Sequence, residues 1–433
     1  MLKNGLLFFL VVSWVFLVNG NFDDRVLLSY EQYGLMLFVL VGLLVTMVFS
    51  DWMFSLKILL LPFFIGYLFL VSMFFGGDVS SLAKVIAFSL VVLLASFCAS
   101  KMSVEAFLKA IVVSLFLLLS FNILLANFST GIGLEEGKFA GDWKGVFDQK
   151  NALGRLSALL MVSATLLFIS SKELAVKLCC FLVFVAAVFV VLNSGSRTGF
   201  ATGMLISFLA FFFHMSYTVL NDPKVNGKLF VSILVLEGFI VVAILLFNAQ
   251  AVALHTGNDG ISVFGKFISL TGRLTIWEYA LQQLHGVHLW LGYGLDNLWT
   301  MDHFITLGPI EGMGDFYPED SHNGYVDILA QGGVLGAIIY FVFFAALMMA
   351  AYRAKLDAVE FVVFFTFICF FLVSNITESY TTKSTNIVNF IFVYLSAFVF
   401  LKEAKQRDGF LFKAPNVKSM KRFAFRSRTQ ERN

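Results

Sequence analysis

The chain has 433 residues, of which 59% are hydrophobic and only 13% charged, against roughly 45–50% and 25% in soluble domains. With 53 Phe and a mean hydropathy of +0.87, it has too few charges to coat a water-exposed surface and belongs in a bilayer. Five Pro and no low-complexity tract exclude a disordered or fibrous protein.

A spanning helix needs about 20 mostly apolar residues. In chain order, such runs are found at 5–19, 33–50, 53–76, 84–100, 106–127, 152–171, 174–192, 199–220, 229–249, 333–352, 358–375 and 386–402. The expectation is an all-α polytopic membrane protein with about twelve transmembrane helices. The first run, with Lys3 ahead of it and Gly20 behind, also satisfies a signal peptide; a retained helix is preferred because no A-x-A site follows. The domains expected are 1–249, holding nine helices and an outer loop at 128–151; a large outer loop at 250–332; three helices in 333–402; and a basic tail at 403–433. The four cysteines lie in apolar runs without metal-ligand spacing.

The net charge of +2 hides an asymmetry, since Lys402 to Asn433 holds ten basic and three acidic residues. A basic stretch directly after an apolar helix reads as a cytoplasmic anchor rather than a nucleic-acid arm, so no nucleic-acid partner is expected. Twelve spans with a cytoplasmic C-terminus leave loops 128–151 and 250–332 outside.

Three stations then share the outer face. The first is Gly145-Val-Phe-Asp-Gln149-Lys150-Asn151-Ala-Leu-Gly154. The second is the turn Asn193-Ser-Gly-Ser196-Arg197-Thr198-Gly199. The third, in the large loop, runs through Thr271-Gly272-Arg273 and Trp277, then Gly292-Tyr293-Gly294, then Asp320-Ser321-His322-Asn323-Gly324 and Gly332-Gly333. Taken singly, each has a bland reading: Gly, Asn and Ser make tight turns, a lone Arg snorkels to lipid phosphate, and Trp anchors at interfaces. Taken together, Arg197, Arg273 and Lys150 suit a phosphate-bearing anion, because guanidinium grips phosphate oxygens bidentately. His322, between Asp320 and Asn323, has the chemistry of a general base near neutral pH. His285 and His288 lack a third close ligand for a metal. No metal site or cofactor is expected, and there is no phosphate-loop motif for nucleotide hydrolysis.

At these residues the chain resembles the bacterial O-antigen ligase and polymerase superfamily, the Wzy and WaaL proteins. Ser196-Arg197-Thr198-Gly199 is similar to its arginine turn. Gly272-Arg273 with Trp277 and then Gly292-Tyr293-Gly294 is similar to its G-R-x-x-x-W and G-x-G signature, and Ser321-His322-Asn323-Gly324 to its H-N box. The likeness covers roughly residues 140–350. The first station resembles the G-x-F-x-H-K-N-x-L-G box of exopolysaccharide polymerases, with Gln149 where His is usual.

The resemblance implies a metal-independent membrane glycosyltransferase of the GT-C kind, working at the periplasmic face of the bacterial inner membrane. Its substrates would be a saccharide donor on undecaprenyl diphosphate and a saccharide acceptor, with a chain-length regulator and a flippase as candidate partners. Carried over, Arg197 and Arg273 would hold the diphosphate and His322 would take the acceptor hydroxyl's proton; Lys150, Asn151, Trp277 and Asn323 would bind substrate. The leading expectation is a polymerase of lipid-linked repeat units, making O-antigen or exopolysaccharide. The alternatives are an O-antigen ligase, which transfers finished chain to the lipid A-core of lipopolysaccharide, and a polytopic transporter.

Overall fold

The computed structural model describes residues 2–17, 29–79, 81–220, 260–263, 266–269, 273–301, 304, 318–383, 386–407 and 411–413. The helices are α1 (Leu2–Leu17), α2 (Ser29–Val48), α3 (Leu60–Phe74), α4 (Ser81–Lys101), α5 (Val104–Phe128), α6 (Lys150–Ser170), α7 (Leu174–Asn193), α8 (Arg197–Leu220), α9 (Arg273–Gln282), α10 (Val287–Leu291), α11 (Gly324–Arg353), α12 (Ala358–Ser374) and α13 (Ile387–Gln406). Two short antiparallel ladders accompany them: β1 (Met53–Ser55) with β4 (Leu411–Lys413), and β2 (Gly260–Val263) with β3 (Lys266–Ser269).

Among the described residues eight helices are long and apolar enough to cross a membrane, and α1, α2 and α12 carry shorter apolar stretches. These account for eleven of the expected segments; the run 229–249 lies outside the described residues, as do His255, His303 and most of the tail. The chain is therefore a multi-pass, all-α membrane protein. Helix α13 is almost wholly buried and α6 nearly so, whereas α7 shows most of its surface. Lipid solvates apolar side chains, so an outer helix such as α7 needs no polar face. The central α13 instead encloses Asn389, Tyr394 and Ser396, which donate to the carbonyls of Lys383, Met102 and Phe392.

The two ends of the bundle differ. At the tail end the buried Glu403 of α13 takes Lys57 at 2.6 Å and Arg353 at 3.8 Å, Lys402 pairs with Glu360, and β4 is paired with β1. The opposite end gathers the turns after α5, α7 and α12 and the segments that precede α11.

The expected loop boundary at 332 is corrected. Helix α11 starts nine residues before the anticipated span, at Gly324, capped by the Asn323 side chain on the amides of Tyr325 and Val326. The added turns carry Asp327 and Gln331, and both are buried. The helix breaks at Gly333, with φ 59° and ψ −161°, a conformation essentially reserved for glycine. The carbonyls freed by the break are taken up from outside. Tyr293 and Gly294 amides donate to Ala330 and Gln331 at 2.9 and 2.8 Å, and the Tyr67 hydroxyl donates to Gly332 at 3.0 Å. The Gly292-Tyr293-Gly294 signature thus seals a broken helix.

A Cβ on Gly333 would lie 2.5 Å from the Trp290 carbonyl. Gly333→Ala is therefore expected to lower the melting temperature in detergent markedly, by the equivalent of about 3 kcal/mol or more. Gly66→Ala in α3, where nothing lies within 4 Å, is expected to leave it unchanged or slightly raised. Equal melting temperatures for the two variants would refute this account.

Candidate active site

The site is built on a rigid loop, Asp320–Asn323, at the entrance to α11. Asp327 Oδ1 accepts the Ser321 amide at 3.1 Å and the Trp299 indole at 3.2 Å, and Trp277 of α9 donates its indole N–H to the Ser321 carbonyl at 2.8 Å. The Asp320 carboxylate accepts the His322 amide at 2.7 Å. So braced, His322 sits at φ +50°, a left-handed conformation that a non-glycine residue keeps only where its surroundings impose it.

The imidazole is about one-third exposed, and its Nδ1 edge faces two carboxylates: Asp320 Oδ1 at 3.4 Å and Glu378 Oε2 at 3.8 Å. With Nδ1–H turned to these acceptors, Nε2 is the basic nitrogen. Glu378 lies in the turn between α12 and α13, which is tied to the start of α11 by Gly324 donating to the Asn375 and Glu378 carbonyls at 2.8 and 3.2 Å. Its Oε1 takes two guanidinium groups, Arg155 of α6 at 2.9 Å and Arg273 at the start of α9 at 3.2 Å. On the other flank Lys383 is ion-paired with Asp320. Three cations and two carboxylates therefore surround the histidine.

Burial opposes ionisation of Glu378, but Arg155, the His322 hydrogen bond and Arg273 outweigh it and hold its carboxyl at about 2. Burial likewise opposes ionisation of Asp320, yet Lys383 and His322 pull its pKa below the usual carboxylate value. Lys383 is raised because the attraction of Asp320 exceeds its own desolvation cost. Burial pushes the Tyr380 hydroxyl up. Both carboxylates are thus charged at neutral pH and paired with the cations around them.

The residues expected from sequence divide into groups. Arg273 and His322 meet at Glu378. Trp277 and Asn323 are at the site but turned to its support, the one bracing Ser321 and the other capping α11. Arg197 is exposed at the start of α8 and makes no ion pair among the described residues. Its turn touches α6 beside Arg155, since a Cβ on Gly154 would come within 2.2 Å of Ser196. Lys150 is pinned to Asp142 at 2.6 Å and lies 3.7 Å over the Phe139 ring, and Asn151 is exposed beside it. His288 bonds the Gly292 carbonyl at 2.9 Å and stacks on Tyr293 at 4.0 Å, so its ring is occupied in packing.

Sequence reasoning missed Arg155, Glu378 and Lys383. A signal existed for two of them, because the expected topology puts the turn 376–386 on the outer face, and Glu378 and Lys383 are its only charges.

Residues 182–341 match the family model described as O-antigen ligase. The match includes Arg197, Arg273 and His322, and stops short of Glu378 and Lys383. No curated protein matches the chain.

Proposed function

We propose that the protein is a member of the O-antigen ligase and polymerase superfamily, whose family model matches residues 182–341, and that it polymerises undecaprenyl-diphosphate-linked repeat units at the periplasmic face of the inner membrane. The observation that carries the reading is His322 with its Nδ1 edge on two carboxylates and two arginines one carboxylate away. The acceptor sugar hydroxyl gives its proton to His322 Nε2 as its oxygen attacks the anomeric carbon. The anomeric C–O bond to the diphosphate breaks, and Arg155 and Arg273, released from Glu378, take up the charge growing on the leaving group. Arg197, which follows the Ser196 packed against Gly154 of α6, would add a further cation. Because the guanidinium groups supply this charge, the transfer proceeds without a metal. The basic sequence that follows α13, whose described end lies at the opposite end of the bundle from the site, supports a cytoplasmic C-terminus and a periplasmic site.

The polymerase reading rests on the Gly145–Gly154 box. The ligase reading is favoured instead by the description of the family itself. Transport has less support, because the described charges cluster at the two ends of the bundle rather than at broken helices midway.

Protein reconstituted in vesicles with lipid-linked repeat units, with and without lipid A-core, separates these readings. A ladder of lipid-linked oligomers is expected. Product on lipid A-core alone would make the protein a ligase, and no glycan product with either acceptor would overturn the enzyme reading.

A further inference from the structure

Lys383 has no place in the transfer step above, yet it is built into the site. It lies in the turn between α12 and α13, where the buried Asn389 of α13 donates its amide to the Lys383 carbonyl at 2.9 Å. Its ammonium reaches back to Asp320 Oδ2. The other oxygen, Asp320 Oδ1, accepts the His322 amide at 2.7 Å and lies 3.4 Å from the ring nitrogen. A continuous chain of contacts therefore runs from the central helix through Lys383 and Asp320 to both the backbone and the ring of His322.

The charges around that ring are unequally compensated. Glu378 approaches from the α12–α13 turn, already neutralised by Arg155 of α6 and Arg273 of α9. Tyr380 belongs to the same turn, and Asp327 stands behind Ser321 in α11. Asp320 approaches from the histidine's own loop, and among the described residues its ion-pair partners are Lys383 and His322 itself. Without Lys383 a bare carboxylate would face the imidazole.

We propose that Lys383 is a positioning residue for His322: by fixing and neutralising Asp320 it holds the strained loop in register and sets the charge that the imidazole faces. The proposal rests on His322 as the base of the transfer reaction.

The test is the pH profile of initial transfer rate in vesicles loaded with lipid-linked repeat units. An opposite charge within about 4–6 Å stabilises the protonated ring. Lys383→Met should therefore move the acidic limb of the profile up by about one pH unit, and Lys383→Arg should restore it. Asp320→Asn removes the carboxylate and should move the limb down. A purely structural role would lower the rate of Lys383→Met at every pH and leave the limb in place, which would overturn the proposal. Should Lys383→Met fail to fold, Asp320→Asn decides, and an unmoved or raised limb in that variant refutes it. His322→Ala separates the two ideas. If that variant keeps its rate, the base assignment has failed; if it is inactive while the limb ignores both Lys383 and Asp320, only the present proposal has.

Discussion

Replacing His322 is expected to slow glycan transfer by about 10²–10⁴-fold, the usual contribution of a general base, or about 3–5 kcal/mol of transition-state stabilisation. The sharper variant is His322→Asn rather than His322→Ala. Position 322 has φ +50°; asparagine tolerates that region, whereas alanine adds a backbone cost of about 1–2 kcal/mol. His322→Asn should therefore melt close to the parent protein and be nearly inactive, while His322→Ala is inactive and somewhat less stable. The comparison isolates chemistry from folding, because the loop is held by Trp277, Asp327 and the Asn323 cap rather than by the imidazole. Transfer at the parent rate by a well-folded His322→Asn would remove the base from the mechanism.

The bundle was legible in sequence because a bilayer imposes one rule, a long apolar run for every span. The rule weakens where a helix is not apolar. Gly324–Gly333 carries Asp327 and Gln331 and ends in two glycines, so it lacks an apolar run, yet packing against Trp299 and the Tyr293 segment makes it helix up to the break. Site residues followed the same division. Arg273 and His322 stand in short motifs with a stated chemistry, and they do meet. Arg155 and Glu378 stand in none. An arginine one turn inside α6 reads as a snorkelling side chain, and a glutamate in a short turn reads as solvated surface. Their role depends on α6, α9 and the α12–α13 turn converging, and that is a property of the tertiary arrangement. Lys150 shows the converse. Its motif implies a ligand, and the structure adds that its ammonium is paired with Asp142, eight residues earlier.

Scarcity of charge gives the convergence its meaning. Taking an arginine out of water is costly unless it is paired, and here two share one carboxylate oxygen. On the proposed function, a substrate diphosphate would offer more oxygens and more charge than Glu378 does and would draw both arginines away, leaving Glu378 facing the Nδ1 edge of His322. In that description Glu378 would hold the two arginines before the diphosphate binds and support the histidine afterwards.

Glu378→Gln follows from that description and is expected to affect stability and turnover in different ways. The carboxyl of Glu378 is held at about 2 from an ordinary 4.5, which corresponds to stabilisation on the order of 3 kcal/mol; breaking a buried ion pair by removing one partner has a similar cost. Because the folded-state pKa is depressed, this stabilisation is fully present above pH 4.5 and is lost as pH falls towards 2. Glu378→Gln should therefore melt well below the parent protein at neutral pH, and the two melting temperatures should converge as the pH is lowered through that window. In catalysis the amide leaves Arg155 and Arg273 free before substrate arrives, so the KM for lipid-linked donor should be unchanged or lower. The imidazolium formed during transfer loses a facing charge, so kcat should fall by about 10²-fold or more. Lowered kcat without a raised KM is the signature of a group that competes with substrate in the ground state and supports the base in the transition state. A Glu378→Gln protein with normal kcat and raised KM would instead make Glu378 a simple binding residue, and the displacement of its carboxylate by diphosphate would be wrong.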